Sequence, residues 1–355
     1  MSFEGEFASY EPLRRLLDSE KVKSLQSRFV IRRKREHEDE FDKEIIKKDN
    51  LQQSQIQPDL IVAIDGSNLV AKAENGFPGA EFGYITVASV LIDLVKVREC
   101  AKEEFISPKQ LRDAEKSSTI ESVFPGCNVI LDNEKNAKAS FRRALFEELQ
   151  NNVVFSDGET LLDTYHHLFR RKQELFPTAP LPQSPIDGIE EKMTYGFGEY
   201  TCPHSGETLF STDALRLHEL MHDSGSNGEM FGQLMSTLEK LWLIHILRAF
   251  ERRGWLDTLR RVAFVMDGPL AVFSTANWLT RVIEDELRRI NNLQKRINNQ
   301  DLIIIGIEKS GTFFNHFIDI DTTKDGVGDF ADIDHSISLQ ADHCISEQID
   351  QVISL

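Results

Sequence analysis

Three apolar runs constrain this chain more than any other feature: LIVAIDGSNLV (Leu60–Val70), RRVAFVMDGPL (Arg260–Leu270) and DLIIIGIEKSG (Asp301–Gly311). Each is a short stretch of aliphatic and β-branched residues bounded by turn formers, as in a buried strand. Long helical patterns separate them. One runs from Gly228 to a stop at Gly254, and the other is TANWLTRVIEDELRRINNLQKRI between the second and third runs. Two further strands are expected over Phe82–Val97 and Asn128–Asp132. Apolar strands alternating with helices predict an α/β fold with a mixed or parallel sheet covered on both faces.

Around this frame the texture changes twice. Residues 1–56 are charge-rich and read as an N-terminal helical extension containing the run Arg32-Arg33-Lys34-Arg35, a solvated face or a contact for DNA or a partner. A domain spanning 57–355 follows. Within it, residues 136–227 read as a helical and loop insertion, with four prolines between 176 and 189 marking loop. The basic pairs Arg142-Arg143 and Arg170-Arg171 fall on its expected helices, as surface charge or phosphate contacts.

Two of the apolar runs deliver an aspartate to a glycine: Asp65 in VAIDGSN and Asp267 in FVMDGPL. A single Asp-Gly is ordinarily a turn. Two copies at strand ends place two carboxylates at one rim of the sheet. If the strands are neighbours, the carboxylates repel unless a cation lies between them. Mg²⁺ or Mn²⁺ suits an all-oxygen site, and a metal pair supplies water activation and leaving-group stabilisation for phosphodiester hydrolysis. Glu239, set among Leu238, Leu241 and Trp242, is the best third carboxylate, because an acid in so apolar a stretch is costly without a role. Glu251 is the bland surface alternative. Lys309, just past the last strand, is placed to neutralise a phosphate.

These motifs, IDGSN, FVMDGPL and IIGIEKSG, resemble the NurA family of DNA-end-processing nucleases. The resemblance covers roughly Leu60–Phe314. It implies an RNase H-like mixed sheet flanked by helices and dependence on Mn²⁺ or Mg²⁺. It also implies a homodimer docked on a hexameric HerA-type ATPase that translocates DNA, in end processing or anti-phage defence. Residue by residue, it assigns Asp65, Glu239 and Asp267 to the metal ions and Lys309 to the catalytic centre. The family's further C-terminal histidine has no clear counterpart; His335 and His343 are the nearest substitutes. That departure keeps open a non-catalytic, nuclease-like subunit that assembles such a complex.

A rival motif lies in the insertion. His218-Glu219-Leu220-Met221-His222 spells HExxH, which on an α-helix is the zinc site of a metalloprotease. Cys202 and His204, with His218 or His222, offer a structural zinc site instead.

Bulk properties narrow the rest. A net charge of −17 argues against a protein that coats nucleic acid through a basic face, but not against carboxylates gathered around metals. The cysteines at 100, 127, 202 and 344 form no CxxC pair, which favours reduced thiols. With neither a signal-like start nor an apolar span, a cytoplasmic protein with no membrane association is expected.

Overall fold

The computed structural model describes residues 19–20, 24, 56–73, 79–100, 102, 115–155, 158–268, 270 and 276–309. Contacts divide the chain into one unit of residues 1–51 with 332–340 and a second holding the remainder. All of the expected N-terminal extension but residues 19, 20, 24 and 56, together with the Arg32–Arg35 run, Phe313, Phe314, His335 and His343, lies outside the described residues.

The second unit is built on a five-stranded mixed sheet. Its strands are β1 (Leu60–Lys72), β2 (Glu81–Asp93), β3 (Glu115–Pro125), β6 (Val262–Asp267) and β7 (Ile303–Ile307), in the order β3-β2-β1-β6-β7. The first three are antiparallel neighbours, while β1–β6 and β6–β7 pair in parallel. This is the mixed α/β architecture expected of an RNase H-like sheet. A separate two-stranded ribbon, β4 (Glu199–Thr201) with β5 (Thr208–Phe210), lies in the 136–227 stretch.

Among the described residues, five α-helices accompany the strands: α1 (Leu94–Cys100), α2 (Ala137–Asn151), α3 (Leu161–Leu175), α4 (Gly228–Arg252) and α5 (Asn277–Asn298). Local chemistry sets their starts. Asn136 accepts from the Ala139 amide at 2.8 Å to cap α2, and Thr160 with Asp163 forms a reciprocal capping box on α3. α4 packs on β1 and β2, α2 packs on β3, and α3 and α5 pack against α4. This layer buries the strand face of Val62, Ile64, Ile85, Val87, Phe264 and Met266.

Four expectations are corrected. Coverage of both faces is not seen among the described residues: Tyr84, Val123, Ile305 and Ile307 are exposed on the face away from α4. The strand expected at Phe82–Val97 ends at Asp93, whose carboxylate accepts from the Val95 and Lys96 amides and starts α1. The third strand is Glu115–Pro125, not Asn128–Asp132. Left-handed Asn128 (φ 58°) and Asn133 (φ 71°) turn the chain on either side of that apolar run, and its Ile130 is exposed. Finally, β1 does not turn at Asp65-Gly66 but pairs with β2 along its whole length, from Leu60↔Asp93 to Lys72↔Glu81.

Candidate active site

The continuity of β1 redefines the position of Asp65. Pairing of β1 with β6 stops at Ile64↔Met266, while β1 runs on beside β2. Asp65 and Asp267 are the next residues on the two strands, so both stand where the parallel seam opens. Asp65 is exposed. Asp267 ends β6 outright, followed by Gly268 at φ +88°, a conformation natural only to glycine. The Gly268 amide donates to the Ile307 carbonyl at 2.8 Å and fixes the turn against β7.

Glu239 comes from the opposite side of the strand. Phe231, Met235 and Glu239 lie four apart on α4 and form one stripe of the helix facing β1 and β2. The sheet meets that stripe with glycine. A Cβ on Gly66 would stand 2.6 Å from Glu239 Oε1 and 2.8 Å from Met235 Cγ, and one on Gly83 would enter the Phe231 ring at 2.3 Å. Gly66 is therefore the gap through which the Glu239 carboxylate reaches the strand beside Asp65.

The electrostatics agree. Burial pushes the Glu239 carboxyl above the usual glutamate range, Lys240 opposes that rise, and repulsion from Asp65 adds to it. Lys240 is itself buried, with its ammonium 3.7 Å from Glu239 Oε2, and burial holds it below the ordinary lysine value. Lys309 Nζ lies 3.0 Å from Asp267 Oδ2, a pairing that raises the lysine, with a smaller contribution from Asp65. All four expected site residues thus gather at one end of the β1–β6–β7 seam. Gly66 and Lys240 were missed in the sequence, although a glycine beside the aspartate and a lysine in the same apolar stretch as Glu239 were the available signals.

Among the described residues, no three His, Cys, Asp or Glu side chains stand close enough to hold a metal together. The donor chemistry nevertheless fits a hard divalent cation. Asp65 and Glu239 are like-charged neighbours, and Asp267 already holds a cation in the form of Lys309. Just beyond Ile307, Glu308 keeps one carboxylate oxygen out of water with no hydrogen-bond partner among the described residues. Such an all-oxygen set suits Mg²⁺ or Mn²⁺, which take few protein ligands and retain waters.

A NurA domain profile matches residues 59–346. The chain belongs to the NurA family. It is therefore a nuclease-family protein, and the match spans both aspartates, Glu239 and Lys309. Searches of curated proteins and of solved structures found no match.

The rival motifs do not assemble. Leu217–Leu220 is a four-residue 3-10 turn and Met221 is extended, so His218 and His222 do not share an α-helical face. His218 is buried and held down at about 4 by that burial. Cys202, His204, His218 and His222 form no three-ligand group. Arg142 is not a surface charge: it is buried in a two-pronged ion pair with Asp213, at 2.7 Å on each prong. Arg171 pairs with Asp285 and Glu174. Glu251 is held by Arg289 at 2.6 Å, a structural rather than catalytic placement. Among the described residues no helix is long and apolar enough to cross a membrane.

Proposed function

We propose that this NurA-family chain is a metal-dependent DNA nuclease that hydrolyses phosphodiester bonds. In this reading it acts as a homodimer with a HerA-type DNA-translocating ATPase, in end processing or anti-phage defence. The observation that carries the catalytic reading is the position of Asp65 and Asp267 at the open end of the β1–β6 seam, with Glu239 reaching the strand beside Asp65 past Gly66. Family membership supports the nuclease class and the ATPase partner. The division of residues 1–56 from a nuclease domain at 57–355 belongs to the same proposal.

Asp65, Glu239 and Asp267 would hold Mn²⁺ or Mg²⁺, which when bound supplies water activation and charge neutralisation at phosphorus. The chain's own residues set the stage. The paired strands fix both aspartates without side-chain search, since backbone pairing dictates where each carboxylate starts. Lys240 lowers the cost of keeping Glu239 ionised out of water. Lys309, exposed and paired with Asp267, would move its charge onto a phosphate oxygen. The test is Mn²⁺-supported DNA digestion by the purified chain. Asp65→Ala and Asp267→Ala should each abolish it, and full activity in both would overturn the assignment.

The Lys309–Asp267 pair and the lack of a three-ligand group among the described residues favour a second reading, a non-catalytic subunit of the same assembly. Cleavage by the purified chain excludes it. Inactivity both with and without the ATPase supports it.

A further inference from the structure

Lys172 is the charged group that the proposed chemistry leaves unused. It sits in the last turn of α3 and is only 3% exposed. Its ammonium rests 5.9 Å from the Trp278 ring centroid and 6.0 Å from that of Phe169. Among the described residues no carboxylate pairs with it and no acceptor takes a hydrogen bond from Nζ. Burial pushes the ammonium down, and no neighbouring charge opposes that shift. The carbonyl end of α3 favours a cation here, yet none of its carbonyls accepts from Nζ. The Lys172 side chain is buried up to an ammonium that opens on a cavity, where its three donors are left to water or to an acceptor arriving from outside.

The surroundings describe that acceptor. Lys172 lines a cavity of about 220 Å³ together with Gln173, Phe176, Pro177, Ala179 and Tyr195. One wall is rigid: the Tyr195 ring stacks on Phe169 at 4.5 Å, and its hydroxyl donates to the Phe169 carbonyl at 2.6 Å. A second cation stands close by. The Arg281 guanidinium lies 5.7 Å from the centre of the Phe176 ring, exposed and without an acidic partner among the described residues. Arg281 follows Trp278 by three on α5, so both project from one side of that helix toward the end of α3. In a protein carrying −17 overall, neither Lys172 in the cavity wall nor Arg281, stacked on the lining residue Phe176, has an acidic partner among the described residues.

We propose that this cavity is a phosphate-binding subsite, with Lys172 as its buried anchor, Gln173 as an amide donor and Arg281 as the second positive charge. Two cations suit a doubly charged phosphate monoester better than a carboxylate. The volume admits one phosphate with part of a sugar, not a duplex. The phosphate belongs either to the end of a DNA strand or to a free mononucleotide or inorganic phosphate. The first source rests on the nuclease reading, whereas binding itself does not.

The experiment follows thermal unfolding of the full chain during titration with inorganic phosphate, in parallel with Lys172→Met and Arg281→Ala. Phosphate should raise the melting temperature of the parent protein. Lys172→Met should melt higher than the parent without phosphate and bind it about tenfold more weakly or worse. Arg281→Ala, an exposed change, should weaken binding by a smaller factor. Metal-free fluorescence binding then compares 5′-phosphorylated with 5′-hydroxyl oligonucleotides. Tighter binding of the phosphorylated strand that vanishes in Lys172→Met assigns the subsite to strand ends. Equal binding of the two strands, with the phosphate response intact, assigns it to the free anion. No thermal response in the parent, or an equal response in Lys172→Met, overturns the proposal.

Discussion

Replacing Gly66 by alanine separates the catalytic placement of Glu239 from the stability of the fold. The added Cβ would stand 2.6 Å from Glu239 Oε1 and 2.8 Å from Met235 Cγ. Ordinary contact begins near 3.4 Å, so Oε1 must retreat by 0.8 Å. Both opposing atoms belong to side chains rather than backbone, so the strand and α4 need not part. Overpacking of this kind costs about 1–3 kcal/mol. In a large domain that lowers the melting temperature by roughly 2–4 °C per kcal/mol. Catalysis is less forgiving, since misplacing a reacting group by about 1 Å costs on the order of a hundredfold in rate. Gly66→Ala should therefore remain folded at assay temperature and lose about two orders of magnitude in Mn²⁺-supported DNA cleavage. Gly83→Ala is the control. Its Cβ enters the buried Phe231 ring at 2.3 Å, so it should lose stability more than activity per folded molecule. Wild-type cleavage by folded Gly66→Ala would refute the argument that Glu239 works through that gap.

Three further outcomes follow from particular contacts. Lys309→Ala frees Asp267 of its ion pair, so Mn²⁺ affinity by calorimetry should rise while the cleavage rate falls; melting should hardly move, because the pair is exposed. Glu286 is fully buried. Burial alone would raise its carboxyl, but Arg289 and His167, at 2.8 and 2.9 Å, hold it down at about 2. A depressed carboxyl contributes stability above its unfolded value near 4.5 and loses it as pH falls toward 2. That contribution is on the order of 3 kcal/mol, so Glu286→Gln should flatten the acid limb of a melting-temperature profile between those values. Breaking the buried Arg142–Asp213 pair by Arg142→Ala strands a carboxylate and should cost about 3–5 kcal/mol in denaturant unfolding, without changing the residues around Asp65.

The legible parts of the fold were those whose signal is local. β1, β6 and β7 announce themselves as apolar runs, and α4 ends at Arg252, just before left-handed Gly254, as its glycine stop suggested. β3 was hidden because only alternate residues face the helices. Ile120, Ser122 and Phe124 are buried within an otherwise polar run, as befits an edge strand. The apolar run at Asn128–Asp132 misled because two left-handed asparagines decide its path, not its hydrophobicity. Asp65-Gly66 misled in an instructive way. An Asp-Gly pair usually marks a turn, yet this glycine serves α4, more than 160 residues away in sequence. The approach of a helix to a strand is not written in local spacing. Glu239, by contrast, was legible as an acid whose apolar neighbours demanded a reason for it.

The most direct test of the central claim is a crystal structure of the full chain grown with Mn²⁺, read by anomalous scattering. A manganese peak is expected at the open end of the β1–β6 seam, contacted by Asp65 and Asp267 with Glu239 as a direct or water-bridged ligand, and Lys309 is expected to be displaced from Asp267. Manganese bound elsewhere, with Lys309 still seated on Asp267 and no peak between the two aspartates, would contradict that claim.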